Sequence, residues 1–249
     1  MDKGLTANSG IRKALALSLF IGLLGTSLAL RVEAQATTPA LTVEIGAESN
    51  VALDSLFDWQ PTVLLETTLG TIPIELTPEA APKTVENFLF YVDSGRYTDS
   101  FIHRRVSLKD GTPFIIQGGG FFFNFDTDPV SVASLPTEDP VVNEFNASNT
   151  RGTVAMAKLD GDPDSATSQW FINMSDNGSN LDEQNGGFTV FGRVVGDGMT
   201  VAEAISEIPV YDVTTQLGSP FVALPLTDSV LSTENFVVID SASRYAPEV

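Results

Sequence analysis

The chain has few of the side chains that usually act as nucleophiles, proton-transfer groups or metal ligands. It contains no cysteine, and His103 is its only histidine. The absence of cysteine excludes thiolate catalysis, cysteine-ligated metals and disulfide bonds. A single histidine without such partners is a poor metal site. We therefore predict a structural role for His103 and expect no cofactor and no metal.

Two further patterns resemble ligand-binding loops but lack essential members. Residues 160–164 carry aspartate at alternate positions, as a calcium loop does, yet Ser165 stands where that loop needs glycine and Phe171 where it needs glutamate. The glycine run at 118–120 could approach a phosphate, but no Lys-Ser/Thr pair follows it. We predict neither a calcium site nor a phosphate site.

The elements around these residues are mostly short apolar runs separated by turn residues. Residues 63–67 and 71–76 predict two strands around a turn, and residues 236–240 predict a last strand. Pro73 indicates an edge position for the second strand, because proline cannot donate to a ladder. Residues 210–233 are rich in turn residues and are predicted to be irregular.

Two amphipathic segments interrupt the strands. The first begins at Pro82, where the missing N–H costs nothing, ends at Gly95, and carries apolar residues at helical spacing, namely Val85, Phe88, Leu89 and Val92. The second covers residues 199–208, with an apolar face of Val201, Ala204, Ile205 and Ile208. Two helices among many strands favour a mainly antiparallel sheet or closed barrel capped by helices.

Several ordered blocks resemble the cyclophilin family. Residues 101–106 read Phe-Ile-His-Arg-Arg-Val and residues 114–119 read Phe-Ile-Ile-Gln-Gly-Gly, similar to the family's Phe-His-Arg-Val and Phe-Met-x-Gln-Gly-Gly. Residues 151–157, 165–173, 181–182 and 188–194 resemble further family segments in the same order. The resemblance covers residues 61–244. It implies an eight-stranded antiparallel β-barrel with two helical caps and peptidyl-prolyl cis-trans isomerase activity.

The chemistry of such an enzyme is rotation about an X-Pro bond, against a barrier of about 18–20 kcal/mol from amide resonance. No bond is broken. A dry apolar seat for the proline ring and one strong donor that favours the twisted amide lower this barrier. Arginine suits the donor role, because it stays charged and presents several fixed N–H groups.

The resemblance assigns these roles to particular residues. Arg104 is the implied catalytic donor, and Arg105 is kept as the minor candidate, because the family usually has an apolar residue there. The implied peptide-binding residues are Phe114, Ile115, Gln117, Ala157, Lys158, Gln169, Phe171, Leu181 and Phe188, with Phe188 on the rim. Without the resemblance, Arg104 would be interpreted as a surface ion-pair residue and the apolar residues as core.

The chain departs from the family pattern around this site. Residues 107–113 form a longer link than usual, and Lys158 replaces an asparagine near the peptide groove. Asn180 stands where many members carry tryptophan or phenylalanine, and the indole of such a tryptophan binds cyclosporin. Phe188 replaces histidine or tyrosine. These changes leave open a second hypothesis, a proline-peptide-binding or chaperone module with weak or no catalysis.

Composition restricts the partners. Thirteen Lys+Arg against 32 Asp+Glu give a net charge of -19, which repels nucleic acids and anionic lipids. We expect proline-containing polypeptides as partners, no nucleic acid and a monomer.

The N-terminus has the layout of a secretory signal peptide. A cationic start at Arg12-Lys13 precedes an apolar run over 14–30 and the small-x-small pattern of residues 34–36. A retained membrane anchor is the alternative, since this run is close to the lower length limit for spanning a bilayer. We predict a signal peptide over 1–36, a linker or arm over 37–60 and an isomerase domain over 61–246. This layout predicts a periplasmic or secreted protein without stable membrane insertion after cleavage.

Overall fold

The fold is described from a computed structural model. The structure describes residues 61–124 and 131–245 in full, and elsewhere only the backbone of two hairpins. In these hairpins β1 (Leu15–Leu23) pairs with β2 (Thr26–Ala34), and β3 (Thr42–Glu44) pairs with β4 (Asn50–Ala52). The predicted signal peptide and linker lie otherwise outside the described residues. The remaining elements belong to a compact unit from Gln60 to Tyr245.

One antiparallel sheet forms the basis of this unit. Its strands are β5 (Thr62–Thr67), β6 (Gly70–Leu76), β7 (Ser100–Phe101), β8 (Arg104–Ser107), β9 (Pro113–Gly118), β10 (Phe121–Asn124), β11 (Ser131–Ser134), β12 (Thr153–Met156), β13 (Trp170–Asn173), β14 (Val190–Val194) and β17 (Val238–Arg244). Their spatial order is β11-β10-β7-β17-β5-β6-β14-β12-β13-β9-β8. A separate pair is formed by β15 (Val210–Tyr211) and β16 (Leu224–Pro225).

The sheet curls back on itself through the segment that contains β7 and β8. Ile102 N–H donates to Val237 O at 2.9 Å, and the next residue, His103, donates to Gln117 O at 3.0 Å. This segment therefore pairs with β17 on one side and with β9 on the other. The prediction of a mainly β fold with a barrel-like antiparallel sheet is confirmed.

Two longer helices cover the sheet, and two single turns, α2 (Gly178–Leu181) and α4 (Thr214–Leu217), lie in loops. Helix α1 (Pro82–Asp93) packs on β17 and begins at the predicted proline. Helix α3 (Gly198–Glu207) packs on β6 and β9. Its predicted apolar face was wrong at Ala204, which is exposed, because the buried stripe passes through Ala202 and Ile205. Within the residues that the structure describes, no helix is both long and apolar enough to cross a membrane.

The core lies inside the curl. The alternating residues Ile72, Ile74 and Leu76 are fully buried there, as their spacing predicts. The edge position predicted from Pro73 is wrong, because β6 lies between β5 and β14. Pro73 stands just beyond the last β6–β14 pair, Val194 with Ile74, and its carbonyl accepts a bond from Val195 N–H at 3.0 Å. An interior strand tolerates proline at this place, since the residue pairs of the β6–β14 ladder end at Ile74.

The segment predicted to be irregular contributes a second core. Its residues Val213, Phe221, Leu224 and Leu226 are buried in a cluster with Phe101, Phe123 and Phe236. Phe101 is the centre of this cluster, with rings of Phe123 and Phe236 both 5.0 Å away between centroids. The segment therefore covers the outer side of β7 and β10 rather than extending into solvent.

Candidate active site

A row of paired positions crosses four neighbouring strands. Arg104 on β8 is opposite Gln117 on β9, Gln117 is opposite Phe171 on β13, and Phe171 is opposite Ala155 on β12. Directly paired residues in an antiparallel sheet project from the same face. The register alone therefore brings Arg104, Gln117 and Phe171 to one face.

An apolar cluster lies on this face, separate from the two cores. Six of the nine predicted peptide-binding residues belong to it, namely Phe114, Ile115, Ala157, Phe171, Leu181 and Phe188. Phe171 and Phe188 meet edge-on, with ring centroids 5.7 Å apart. Sequence reasoning missed three members, Val106, Ala155 and Val190. Strand alternation could have found Val106 and Ala155, which stand two positions from Arg104 and Ala157.

A chain of polar side chains adjoins the cluster. Arg104 Nη1 donates to Gln117 Oε1 at 3.1 Å, and Gln117 Nε2 donates to Gln169 Oε1 at 2.8 Å. Arg104 is half-buried, and burial lowers the pKa of its guanidinium from the usual value. Among the described residues, no carboxylate forms an ion pair with Arg104. Its charge therefore remains available for a ligand.

Arg105 has the opposite orientation. It pairs with Ile116, a core residue, and its Nε donates to Ser206 O near the end of α3 at 2.6 Å. A cation at a helix C-terminus satisfies a free carbonyl and interacts favourably with the helix dipole. The structure thus places Arg105 away from the apolar cluster, unlike Arg104.

The long link at 107–113 does not separate Arg104 from the apolar cluster. The ladder continues from Arg104–Gln117 to Val106–Ile115, and the additional residues form a hairpin beyond it, with Leu108 N–H bonded to Thr112 O at 2.8 Å. The insertion lengthens the hairpin end, and the register shifts only beyond the Val106–Ile115 pair, where Ser107 is opposite Pro113.

Polar residues beneath the cluster hold two of its walls. Asn177 Nδ2 donates to Phe114 O at 2.8 Å, and Asn149 Nδ2 donates to Phe188 O at 3.0 Å. Asn173 connects them, because its Nδ2 donates to Asn149 Oδ1 at 3.1 Å and its Oδ1 accepts from Asn177 at 2.8 Å. All three amides are buried. Sequence reasoning did not single them out, because isolated asparagines carry no periodic signal.

The rim of the cluster is formed by α2 and the loop that follows it. Asn180 is exposed and accepts a hydrogen bond from Gln184, whereas its neighbour Leu181 is a buried wall residue. The Lys158 ammonium donates to Asn185 O at 2.8 Å and to Gly187 O at 2.6 Å, and burial lowers its pKa. Lys158 therefore contacts the rim loop.

His103 lies directly behind Arg104 and is almost fully buried. Burial lowers the pKa of its imidazole to about 4, so the ring is neutral at physiological pH. Its ring meets Phe121 edge-on at 5.1 Å between centroids. Within the described part of the chain, no cluster of three His, Asp or Glu side chains could hold a metal ion.

The glycine run has a packing explanation. A Cβ on Gly118 would lie 2.9 Å from the Trp170 ring, and one on Gly119, which has a φ of +76°, would lie 2.5 Å from Ser168 O. These contacts are too close for any side chain, and a φ in this region favours glycine. The glycine run lets β9 pass close to Trp170, the residue that stands between the site residues Gln169 and Phe171 in the chain.

The fold and site thus define a curled β-sheet protein with an apolar cluster beside a guanidinium that Gln117 orients. The family model of the cyclophilin type peptidyl-prolyl cis-trans isomerases matches residues 62–222. The chain is 40% identical over 150 residues to a peptidyl-prolyl cis-trans isomerase of Acinetobacter baylyi, with 59% of this chain and 72% of the relative covered. It is 42% identical over 150 residues to peptidyl-prolyl cis-trans isomerase A of Dickeya dadantii, with 59% and 71% covered.

Solved structures show the same fold. A cyclophilin type isomerase of Cryptosporidium parvum has a TM-score of 0.52 at 20% identity, covering 76% of this chain and 100% of that one. The same protein in the presence of the dipeptide Ala-Pro has a TM-score of 0.50 at 21% identity, covering 73% and 97%. The chain belongs to the cyclophilin-type peptidyl-prolyl cis-trans isomerase family and is an enzyme of that class.

Proposed function

We propose that the apolar cluster seats the proline ring of a polypeptide and that Arg104 is the catalytic donor. The observation that carries this proposal is the position of the Arg104 guanidinium, which Gln117 fixes on the same face as Phe171. Val106, two positions further along β8, and its partner Ile115 lie on the same face. A proline in contact with these residues has its amide within reach of a charged, oriented donor.

The proposed mechanism requires no proton transfer and no covalent intermediate. In the twisted amide the nitrogen lone pair is no longer delocalised, so an N–H donor aimed at that nitrogen or at the preceding carbonyl oxygen binds the twisted form better than the planar one. Gln117 and Gln169 hold the guanidinium before substrate arrives, so that no reorganisation is needed. Phe171 and Ile115 exclude water, which strengthens the interaction.

Proline-containing polypeptides are the proposed substrates, supported by the Ala-Pro dipeptide used with the Cryptosporidium parvum relative. The net charge of -19 argues against nucleic acid as a partner. We propose that the protein acts as a monomer.

The proposed setting is the bacterial periplasm or the medium, where the enzyme would assist folding of exported proteins. The support is the sequence of residues 1–36, with its cationic start, apolar run and small-residue pattern. After cleavage the mature chain would begin at Gln35 or Thr37 and have no membrane insertion. Intact-mass measurement of protein recovered from the expressing cell tests this, and a chain that still carries residues 1–30 would contradict it.

A protease-coupled assay on a short X-Pro peptide tests the proposed site. We expect the native protein to accelerate isomerisation in this assay. In an NMR titration with the same peptide, chemical-shift changes should be confined to the apolar cluster and Arg104. Shift changes without acceleration of isomerisation would instead support the peptide-binding or chaperone hypothesis, for which the altered rim at Asn180 leaves room.

A further inference from the structure

Lys158 differs from other described lysines in its surroundings. Lys83 and Lys109 are exposed, whereas Lys158 is half-buried. Its ammonium donates to two main-chain carbonyls, those of Asn185 and Gly187, at 2.8 and 2.6 Å. The carboxylate of Asp164 acts on it only through charge at a distance. Two short charge-assisted hydrogen bonds are strong interactions, and they join Lys158 to one specific loop.

That loop, residues 183–187, has a backbone that needs external support. Three consecutive residues, Asn185, Gly186 and Gly187, have φ of 52°, 76° and 76°. Such a run forms few hydrogen bonds within itself, so its carbonyls need partners elsewhere. Lys158 binds two of them, and Asn143 Nδ2 binds the third, Gly186 O, at 2.7 Å.

The loop leads directly to Phe188, a member of the apolar cluster. The backbone of Phe188 is held on both sides, by Leu181 O at 3.1 Å and by Asn149 Nδ2 at 3.0 Å. The position of its ring depends on its neighbours. The ring meets Phe171 edge-on, and the Lys158 ammonium lies over it at 4.9 Å from the centroid, a cation–π contact.

We propose that Lys158 is a positioning residue of the isomerase, which fixes the rim loop (residues 183–187) and the Phe188 ring and thereby sets how tightly a proline is held. It acts through Phe188 and leaves the rotating amide to other groups. This inference rests on the proposed placement of the proline in the apolar cluster. It predicts an effect on substrate binding and not on the rate of rotation in the bound state.

Lys158→Met tests the proposal, because it keeps the apolar stem and removes the charge and the N–H donors. We expect KM for an X-Pro peptide to rise about five- to tenfold with kcat within about twofold, since loss of binding shared by ground and transition states raises KM alone. Hydrogen exchange at the amides of Gly187 and Phe188 should become faster. Lys158→Arg should keep KM and hydrogen exchange close to those of the native protein. Lys83→Met is the matched control and should change neither quantity.

A double-mutant cycle with Phe188→Leu separates positioning from a general loss of structure. Because Lys158 is proposed to act through the ring, its removal should raise KM much less once the ring is absent, so that the two effects are not additive. Full additivity, an unchanged KM in Lys158→Met, or a fall in kcat with KM unchanged would each overturn the proposal. A different result, native kcat in Arg104→Ala, would contradict the proposed site itself.

Discussion

The Arg104 guanidinium is held by Gln117, its direct partner across the β8–β9 ladder, at 3.1 Å. Gln117 is itself held by Gln169 at 2.8 Å. Because the residues come from β8, β9 and the segment before β13, the direction of the charge depends on the register of the sheet. The neighbouring Arg105 shows the consequence of moving by one position, since it reaches α3 on the other face.

Replacing the proposed donor should abolish most of the activity. We expect Arg104→Ala to lower kcat/KM by about two orders of magnitude or more, because loss of a preorganised charged donor costs a few kcal/mol of transition-state stabilisation. The measurement is the protease-coupled assay, with folding checked by circular dichroism. Arg105→Ala is the matched control and should retain most activity. Reversed effects of the two substitutions would show that the donor had been assigned one residue too early.

Most residues of the candidate site were predictable from motifs that resemble the family, and strand periodicity alone would have assigned them to the core. Phe114, Ile115 and Phe171 occur in motifs that resemble the family, and the structure brings them together in one cluster. The choice between Arg104 and Arg105 was not settled by the sequence. Two adjacent strand residues face opposite sides, and only the pairing of Arg104 with Gln117 determines which side belongs to the site.

The second core was not predictable from local pattern. Residues 210–226 contain strands of only two residues each, so no period of two or 3.6 develops. Phe221 and Leu224 are buried in a cluster with Phe101 and Phe123, which lie about a hundred residues earlier in the chain. Pro73 was misplaced for a similar reason, since the end of the β6–β14 ladder is not visible in the sequence of either strand.

The buried asparagines should affect both stability and activity. We expect Asn177→Ala to lower the free energy of unfolding by about 1–3 kcal/mol, because Asn173 Oδ1 and Phe114 O lose a donor. The loosened Phe114 wall should also raise KM. Urea unfolding and steady-state kinetics measure the two effects. Asn180→Ala, three residues further on and exposed, should leave stability nearly unchanged; equal losses in both variants would contradict the supporting role of the network.

A carboxylate from a distant loop caps helix α1. Glu144 accepts from the backbone N–H groups of Lys83 and Thr84, at 3.2 and 2.8 Å, and from the Thr84 hydroxyl at 2.8 Å. The residue before the helix, Ala81, provides no side-chain cap. We expect Glu144→Ala to cost about 1–2 kcal/mol of stability, as loss of an N-cap does. Thermal unfolding measures it, and Glu86→Ala, an exposed residue of the same helix, should cost much less.

His103 should make the fold sensitive to moderate acid. Its pKa is about 4 in the folded protein against 6.5 as the ordinary value, so between these values the unfolded chain binds more protons. Stability that is fully present above pH 6.5 is therefore lost as pH falls towards 4, by up to about 3 kcal/mol. Urea unfolding of native protein and His103→Gln from pH 7.5 to 4 measures this. Both proteins contain the same carboxylates, so the stability of His103→Gln should fall less steeply with decreasing pH. Parallel curves of stability against pH would contradict the prediction.

Cyclosporin binding should be weak, because Asn180 stands at the rim position where cyclosporin-sensitive members of the family carry tryptophan. The residue is exposed, its amide is bonded to Gln184, and the next residue, Leu181, belongs to the apolar cluster. An indole offers a large apolar face and one donor, whereas an amide offers much less contact area. Loss of one such contact corresponds to about 1–3 kcal/mol, or roughly one to two powers of ten in affinity.

Titration calorimetry of native protein and Asn180→Trp tests this expectation. Isomerase activity should be similar in both, since Arg104, Gln117 and Phe171 are unchanged, while Asn180→Trp should bind cyclosporin about tenfold more tightly. Asn180→Ala is the control and should bind no better than native protein, because it adds neither area nor donor. Tight binding by the native protein would show that the rim contact is made by another residue. In that case α2 would have to present a side chain other than that of Asn180 to the ligand.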